Sequence, residues 1–351
     1  MRGLYIHIPF CAVKCDYCDF YSLKYNKRII EIYVEEMCRR IKNIDYTFDT
    51  VYFGGGTPSI IGAENLSKIL NEVKYKDNAE ITVEVNPKSY KNDFFDILIK
   101  NGFNRVSIGM QSGVDGELLS LTRNHKFCDV EETVLKARNA GFNNISLDIM
   151  IGIEGQTTLS LKESINKAIA LKPEHLSCYM LKIEEGTPFA KANLDLPNDT
   201  EVANMYLFLC DYLKQNNYLQ YEISNFAKEN MQSKHNLLYW KCEEYLGLGP
   251  AAHSFINGKR YYFPNDIDYF IDGNEMIFED FGGDLYDYIM LGLRLKEGIN
   301  ISKLNGNKNF INKIYKYCEN GFGSINNNFF SLNEKGFLVQ NSILCDLLEE
   351  L

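Results

Sequence analysis

Between residues 4 and 180, short runs rich in β-branched and aromatic residues alternate with longer amphipathic stretches, and this alternation restricts the chain to parallel βα units. The runs predict strands at Leu4–Ile8, Thr50–Phe53, Ile81–Val85, Arg105–Met110, Ile145–Ile149 and Leu176–Leu181. Between the first two, Ile29, Ile30, Tyr33, Val34, Met37, Cys38 and Ile41 recur at spacings of three and four, the stripe of a helix packed on a sheet. Further helices are predicted at Ala63–Val73, Asn92–Asn101, Glu131–Ala140 and Ser160–Ala170, the last three followed by the stop signals Gly102, Gly141 and Pro173. Six such units make either an open doubly wound sheet or a curved partial barrel, and hydrophobic periodicity does not choose between them. Both architectures gather ligands at the carboxyl ends of the strands. The unusual residues stand there: three cysteines after strand one, Gly54-Gly55-Gly56-Thr57-Pro58 after strand two, Glu84-Val85-Asn86-Pro87 at the end of strand three, Gln111 ending strand four and Asp148 ending strand five.

After residue 185 the rhythm breaks. A helix is expected at Thr200–Gln215, then an aromatic segment from Tyr218 to Phe226 and a polar run over Lys228–Lys234. From Asp284 onward, helices at Leu285–Arg294 and Asn309–Cys318, a hairpin around Asn326–Asn328 and a closing helix at Gly336–Leu348 suggest a small, mostly helical lobe of winged-helix type. The expected organisation is therefore 1–185, 186–280 as a connecting region, and 281–351 as the lobe. With 351 residues and 45% apolar content the chain can bury a full-sized core. Its net charge of −10 argues against a nucleic-acid binder, whose surface must release phosphate counterions. No run is long and apolar enough for a spanning helix or a signal peptide, so a cytoplasmic protein is expected.

Ten cysteines are too few and too unevenly placed for a disulfide scaffold. Seven are scattered singly and read as buried thiols. The other three form Cys11-x3-Cys15-x2-Cys18, and three thiolates so close can hold three irons of a cubane cluster. The fourth iron is then left open to a small molecule. The competing reading is a structural zinc site completed by His7 or a distant cysteine.

The C-x3-C-x2-C spacing, with Tyr17 directly before the third cysteine, resembles the radical S-adenosylmethionine superfamily. That resemblance implies a 4Fe–4S cluster whose open iron is chelated by S-adenosylmethionine, which an electron from the cluster cleaves to a deoxyadenosyl radical. It also implies a partial (β/α)6 barrel, an α/β fold, rather than an open sheet. Gly54, Gly55, Gly56 and Thr57 resemble the GGTP element that holds the methionyl amino group, where glycine lets backbone approach a ligand. A narrower resemblance, carried by LYIHIPFC, FGGGTPS, VEVNP, SIGMQSG, LTRNH, SLDIMIGIEGQT and GLGPAAHSF, is to the family of oxygen-independent coproporphyrinogen III dehydrogenases and heme chaperones. It implies that Tyr5 contacts the cofactor near the cluster. It further implies that Glu84, Gln111, Arg123 and Asp148 bind the methionine and ribose portions, Arg123 pairing with the methionyl carboxylate.

Two departures separate the family's branches. The dehydrogenases carry a fourth cysteine two places after the third, where this chain has Phe20, and an N-terminal extension before strand one, where this chain starts on the strand. Both favour the chaperones over radical decarboxylation of coproporphyrinogen III. His235-Asn236-Leu237-Leu238-Tyr239-Trp240 matches the HNxxYW element of the chaperones. A histidine can ligate heme iron and aromatic rings can pack a macrocycle, so heme contact is expected at His235, Tyr239 and Trp240, with His253 a weaker candidate. Standing against it, His235 can equally be a hydrogen-bonded structural residue and Trp240 a core anchor. The partners implied are heme, an electron donor for the cluster, and an acceptor hemoprotein, for which a respiratory, membrane-associated protein is one candidate.

Overall fold

In the computed structural model, which describes residues 1–304 and 306–351, six parallel strands follow one another in chain order. They are β1 (Arg2–Ile8), β2 (Phe48–Gly55), β3 (Tyr75–Val85), β4 (Arg105–Gln111), β5 (Ile145–Ile151) and β6 (His175–Met180). The crossovers carry α1 (Lys27–Lys42), α2 (Ala63–Leu70), α3 (Phe94–Lys100), α4 (Asp115–Ser120), α5 (Phe127–Ala140) and α6 (Thr158–Ala170). Every strand and helix expected in this half is present, with shifted ends. Gly141 closes α5 in the left-handed conformation, as its position after the helix predicts.

The strands alternate strictly. Val106, Ile108 and Met110 of β4, Val83 and Val85 of β3, and Leu147 and Ile149 of β5 are buried in one apolar core with the helices. Their neighbours Arg105, Ser107, Thr82, Glu84, Ser146 and Asp148 therefore turn to the other face. An open doubly wound sheet would need apolar residues on both faces. One polar face curled inward is the pattern of a barrel with a wet interior, and the structure has that form.

The curl does not close. After α7 (Asp199–Gln215), β7 (Leu219–Gln220) and β8 (Asn225–Ala227) extend the β6 edge antiparallel. The helix α8 (Lys234–Trp240) leads to the opposite edge, where β9 (Glu244–Leu248) runs parallel to β1. There β10 (His253–Ile256), β11 (Lys259–Tyr262) and β12 (Ile277–Phe281) continue antiparallel. The order β12-β11-β10-β9-β1-β2-β3-β4-β5-β6-β8-β7 leaves both ends free, a partial barrel.

The C-terminal lobe is mostly helical with a three-stranded sheet. Its hairpin turns at Asn327 and Asn328, both left-handed, as an Asn pair in a two-residue loop favours. The single closing helix expected over Gly336–Leu348 is instead two, Glu334–Leu338 and Gln340–Leu348, separated at Val339. Asn333 caps the first, and Gly336 packs so tightly on the Phe322 carbonyl that this short helix takes its direction from that contact. No helix among the described residues is long and apolar enough to cross a membrane.

Candidate functional site

The three clustered cysteines lie on the loop that leaves β1, whose start Phe10–Cys11 pairs with Leu23–Lys24 and so ties the loop at both ends. Within it the Cys18 amide donates to the Cys15 carbonyl at 3.1 Å. Thr57 Oγ1 stands 3.4 Å from the Cys11 sulfur, and Arg123 Nη1 donates to the Cys15 sulfur at 3.6 Å. Hydroxyl and guanidinium donors aimed at sulfur suit thiolates that hold a cluster, whose potential such bonds tune. His7, one of the two residues offered to complete a zinc site, is fully engaged: Nδ1 meets Tyr5 Oη at 3.0 Å and Nε2 meets the Tyr21 carbonyl at 3.0 Å. Among the described residues no three His, Cys, Asp or Glu side chains converge on one metal ion. A cubane needs no such convergence, because each thiolate caps a different iron.

Beside the loop, at the carboxyl ends of the strands, opens a cavity of about 370 Å³. Tyr17, Gly55, Gly56, Thr57, Glu84, Gln111, Arg123 and Asp148, expected from sequence at one site, all line it. Gly54 and Tyr5 do not. Tyr5 stands behind the cavity on His7, and a Cβ on Gly54 would lie 2.9 Å from the Tyr52 ring and 3.1 Å from Glu84 Oε1. Gly55 has φ +108, with His7 2.7 Å from where a Cβ would be. These glycines are therefore demanded by protein packing at the strand end, whether or not a ligand is bound.

Arg123 organises the mouth. Besides Cys15 it reaches Tyr17 Oη at 3.5 Å, Asn86 Oδ1 at 2.6 Å and the Gly109 carbonyl at 2.9 Å. Burial pushes the Tyr17 phenol well up, so it stays protonated. Gln111 takes a left-handed φ of +65 at the strand end, strain of the kind that concentrates at ligand sites. Deeper in, Glu84 accepts from Tyr52 Oη at 2.8 Å and Asp148 from Ser107 Oγ at 3.2 Å. Burial pushes both carboxyls up and the donors offset part of the rise, leaving Glu84 at about 7 and Asp148 at about 6. Such carboxyls gain most by meeting a cation or a pair of hydroxyls. Phe20, in the place of the dehydrogenases' fourth cysteine, is exposed at the mouth. Tyr52, Asn86, Arg105 and Asn236 also line the cavity and were not singled out from sequence. Asn86 and Asn236 sit inside matched motifs, and Arg105 and Tyr52 occupy inward positions of the strand alternation, a signal that could have found them.

The HNxxYW element forms α8, which plugs the amino end of the barrel. Glu80, from β3, receives the amides of Lys234 and His235 at 3.1 Å each, satisfying the helix start. His235 is 1% exposed, stacked on Tyr52 at 5.1 Å, with Nδ1 at 2.7 Å from Thr50 Oγ1 and Nε2 at 2.8 Å from Tyr239 Oη. Burial, with the Arg105 charge second, pushes its imidazole down to about 3, so it is neutral. Both ring nitrogens are thus committed within the fold. Tyr239 and Trp240 face elsewhere, onto a second cavity of about 570 Å³ walled also by Tyr245, Phe255, Phe281 and Tyr286. Hence the motif spans two compartments, with Asn236 on the barrel cavity and the last two residues on the outer cleft. His253 is exposed on the antiparallel extension, stacked on Tyr262 and 3.3 Å from Glu279.

Residues 5–168 match the model for the Radical SAM superfamily. The heme chaperone HemW of Bacillus subtilis is 35% identical, the match covering 97% of this chain and 93% of that protein. HemW of Lactococcus lactis is 32% identical over 86% and 84%. Among solved structures, coproporphyrinogen III oxidase from Escherichia coli, described as a radical SAM enzyme, superposes over 100% of this chain and 90% of that one with a TM-score of 0.83 at 19% identity, a likeness of fold.

Proposed function

The chain belongs to the radical S-adenosylmethionine superfamily, in the family of the heme chaperone HemW, and on that premise we propose that it binds heme and passes it to an acceptor hemoprotein while carrying a 4Fe–4S cluster with S-adenosylmethionine on the open iron. Cys11, Cys15 and Cys18 would hold the cluster. Gly55, Gly56, Thr57, Gln111 and Arg123 would receive the methionyl portion, and Glu84 and Asp148 the ammonium and ribose hydroxyls. When bound, this pair supplies one-electron chemistry, which needs an electron donor. The chain's own contribution is positional: Arg123 ties the Cys15 sulfur to the end of β4, and buried carboxyls near neutrality wait for a cation.

The observation that carries the heme reading is the outer cleft. Tyr239 and Trp240 of the chaperone motif give it two of six aromatic walls, and rings at that density suit a flat macrocycle. Cys242 and Met290, soft donors for iron, also line it. His235 reaches iron only by giving up Thr50 or Tyr239.

Titration of the anaerobically reconstituted protein with heme, followed at the Soret band, tests the proposal. One-to-one saturation, weakened at least about tenfold by Trp240→Ala as loss of a stacked ring implies, is expected. Absence of saturable binding overturns the chaperone reading, and so does catalytic formation of protoporphyrinogen from coproporphyrinogen III under reducing, anaerobic conditions.

A further inference from the structure

The barrel cavity continues below the residues assigned to S-adenosylmethionine, and its floor holds a guanidinium whose Nε has no hydrogen-bond partner. Arg105 opens β4 on the inward face and is 2% exposed, yet lines the cavity. Among the described residues its guanidinium forms no ion pair and no hydrogen bond, and its Nε is buried without a partner. The residue beside it in register on β3, Thr82, likewise has its hydroxyl buried without a partner. Buried arginines are nearly always paired, because an unanswered guanidinium out of water is among the costlier arrangements a fold can keep. The carboxyls in the barrel answer its charge only through space: Arg105 helps to lower both Glu84 and Asp148, while their hydrogen bonds go to Tyr52 and Ser107.

We propose that the barrel floor receives an organic monocarboxylate, with Arg105 as its anchor. The planar fork of the guanidinium matches a carboxylate bidentately. Two acidic side chains above it disfavour a dianion such as phosphate, so one negative charge is the best match. Arg105 lies four residues before Gly109, whose carbonyl fixes Arg123, which is about 13 Å of strand. The carboxylate would therefore sit beneath the cofactor residues rather than compete with them. This compartment is separate from the aromatic cleft, and the inference does not rest on heme binding. It assigns the barrel a small-molecule site of its own, next to the place where radical chemistry would begin.

Equilibrium dialysis of the full chain with radiolabelled propionate at fixed ionic strength, with the cluster reconstituted and S-adenosylmethionine saturating, is the test. One propionate bound per chain is expected, displaced by acetate but not by the neutral isostere propionamide, and weakened at least about tenfold in Arg105→Met. No saturable uptake by the wild type, equal displacement by propionamide, or unchanged binding in Arg105→Met overturns the proposal. Uptake that is present without S-adenosylmethionine and lost when it is saturating also overturns it, by showing that Arg105 serves the cofactor's own carboxylate. Should the Met variant fail to fold, the amide competition on the wild type and the charge-keeping Arg105→Lys still decide. A negative heme titration leaves these outcomes untouched, because no heme is present.

Discussion

Replacing Glu84 with Gln should make the unliganded protein more stable above neutrality and remove a part of its pH dependence. The glutamine keeps an oxygen for the Tyr52 hydroxyl, 2.8 Å from Glu84 Oε1, but carries no charge to bury. In the native barrel, burial raises the Glu84 carboxyl from 4.5 to about 7, with the Asp148 charge adding to the rise. Between those values the native state holds a proton that the unfolded chain has released, so stability falls as pH rises through that window. At about 1.4 kcal/mol per pH unit this corresponds to about 3 kcal/mol present at pH 4 and lost by pH 8. Denaturant melts of the unliganded wild type and Glu84→Gln at pH 5 and pH 8 read it directly. The variant should be the more stable at pH 8 by about 2–3 kcal/mol and the difference should vanish toward pH 5. A variant that is less stable than wild type at pH 8, or a difference that does not change with pH, would refute the claim that burial of the charge is only partly compensated. The same linkage works in reverse for the cofactor. A ligand that brings an ammonium to ionised Glu84 should bind more tightly at pH 8 than at pH 6, by up to about tenfold per pH unit below the carboxyl's own value.

Alanine at Cys11, Cys15 or Cys18 should abolish the broad visible absorption of the reconstituted protein, whereas Cys178→Ala, buried on the apolar face of β6, should leave it; a triad variant with full iron content refutes the cluster assignment. His235→Ala should destabilise the fold by about 2–4 kcal/mol in denaturant melts, because the Thr50 and Tyr239 hydroxyls lose their partner and the Tyr52 ring its stack, and a near-neutral effect would show that α8 is not the plug it resembles. Gln111→Gly should relieve the left-handed backbone, stabilising the unliganded protein by about 1 kcal/mol while weakening S-adenosylmethionine in equilibrium dialysis; unchanged affinity would remove Gln111 from the site.

The six strands and their helices were legible because they are local facts. Apolar residues at Val106, Ile108 and Met110 mark one face of a strand wherever that strand ends up. The barrel form was written in the same alternation, since Arg105, Ser107 and Asp148 on the opposite faces exclude a sheet with both sides covered by helices. Periodicity counted only for its apolar half leaves that signal unused. The cysteine loop and the cavity mouth were legible for another reason: parallel βα units deliver their strand ends to one rim, so Cys11, Thr57, Glu84, Gln111 and Asp148 had to become neighbours.

What a side chain touches across the barrel is a different kind of fact. His235 reads as a candidate metal ligand in its motif, and it is the hydroxyl of Thr50, 185 residues earlier, that takes one of its nitrogens. Trp240, five residues on, opens to a separate cleft because a helix of seven residues turns its end away from the barrel it plugs. Arg105 is one more inward residue in the sequence; only the curled sheet reveals that, among the described residues, its Nε meets no hydrogen-bond partner. By itself the sequence determined the repeat of the backbone, the side of each strand that is buried, and the loop that carries the thiols, because each depends on neighbours a few residues away. The tertiary structure alone decided which polar groups are satisfied and which wait for a ligand, because that balance is struck between residues brought together from the two ends of the chain.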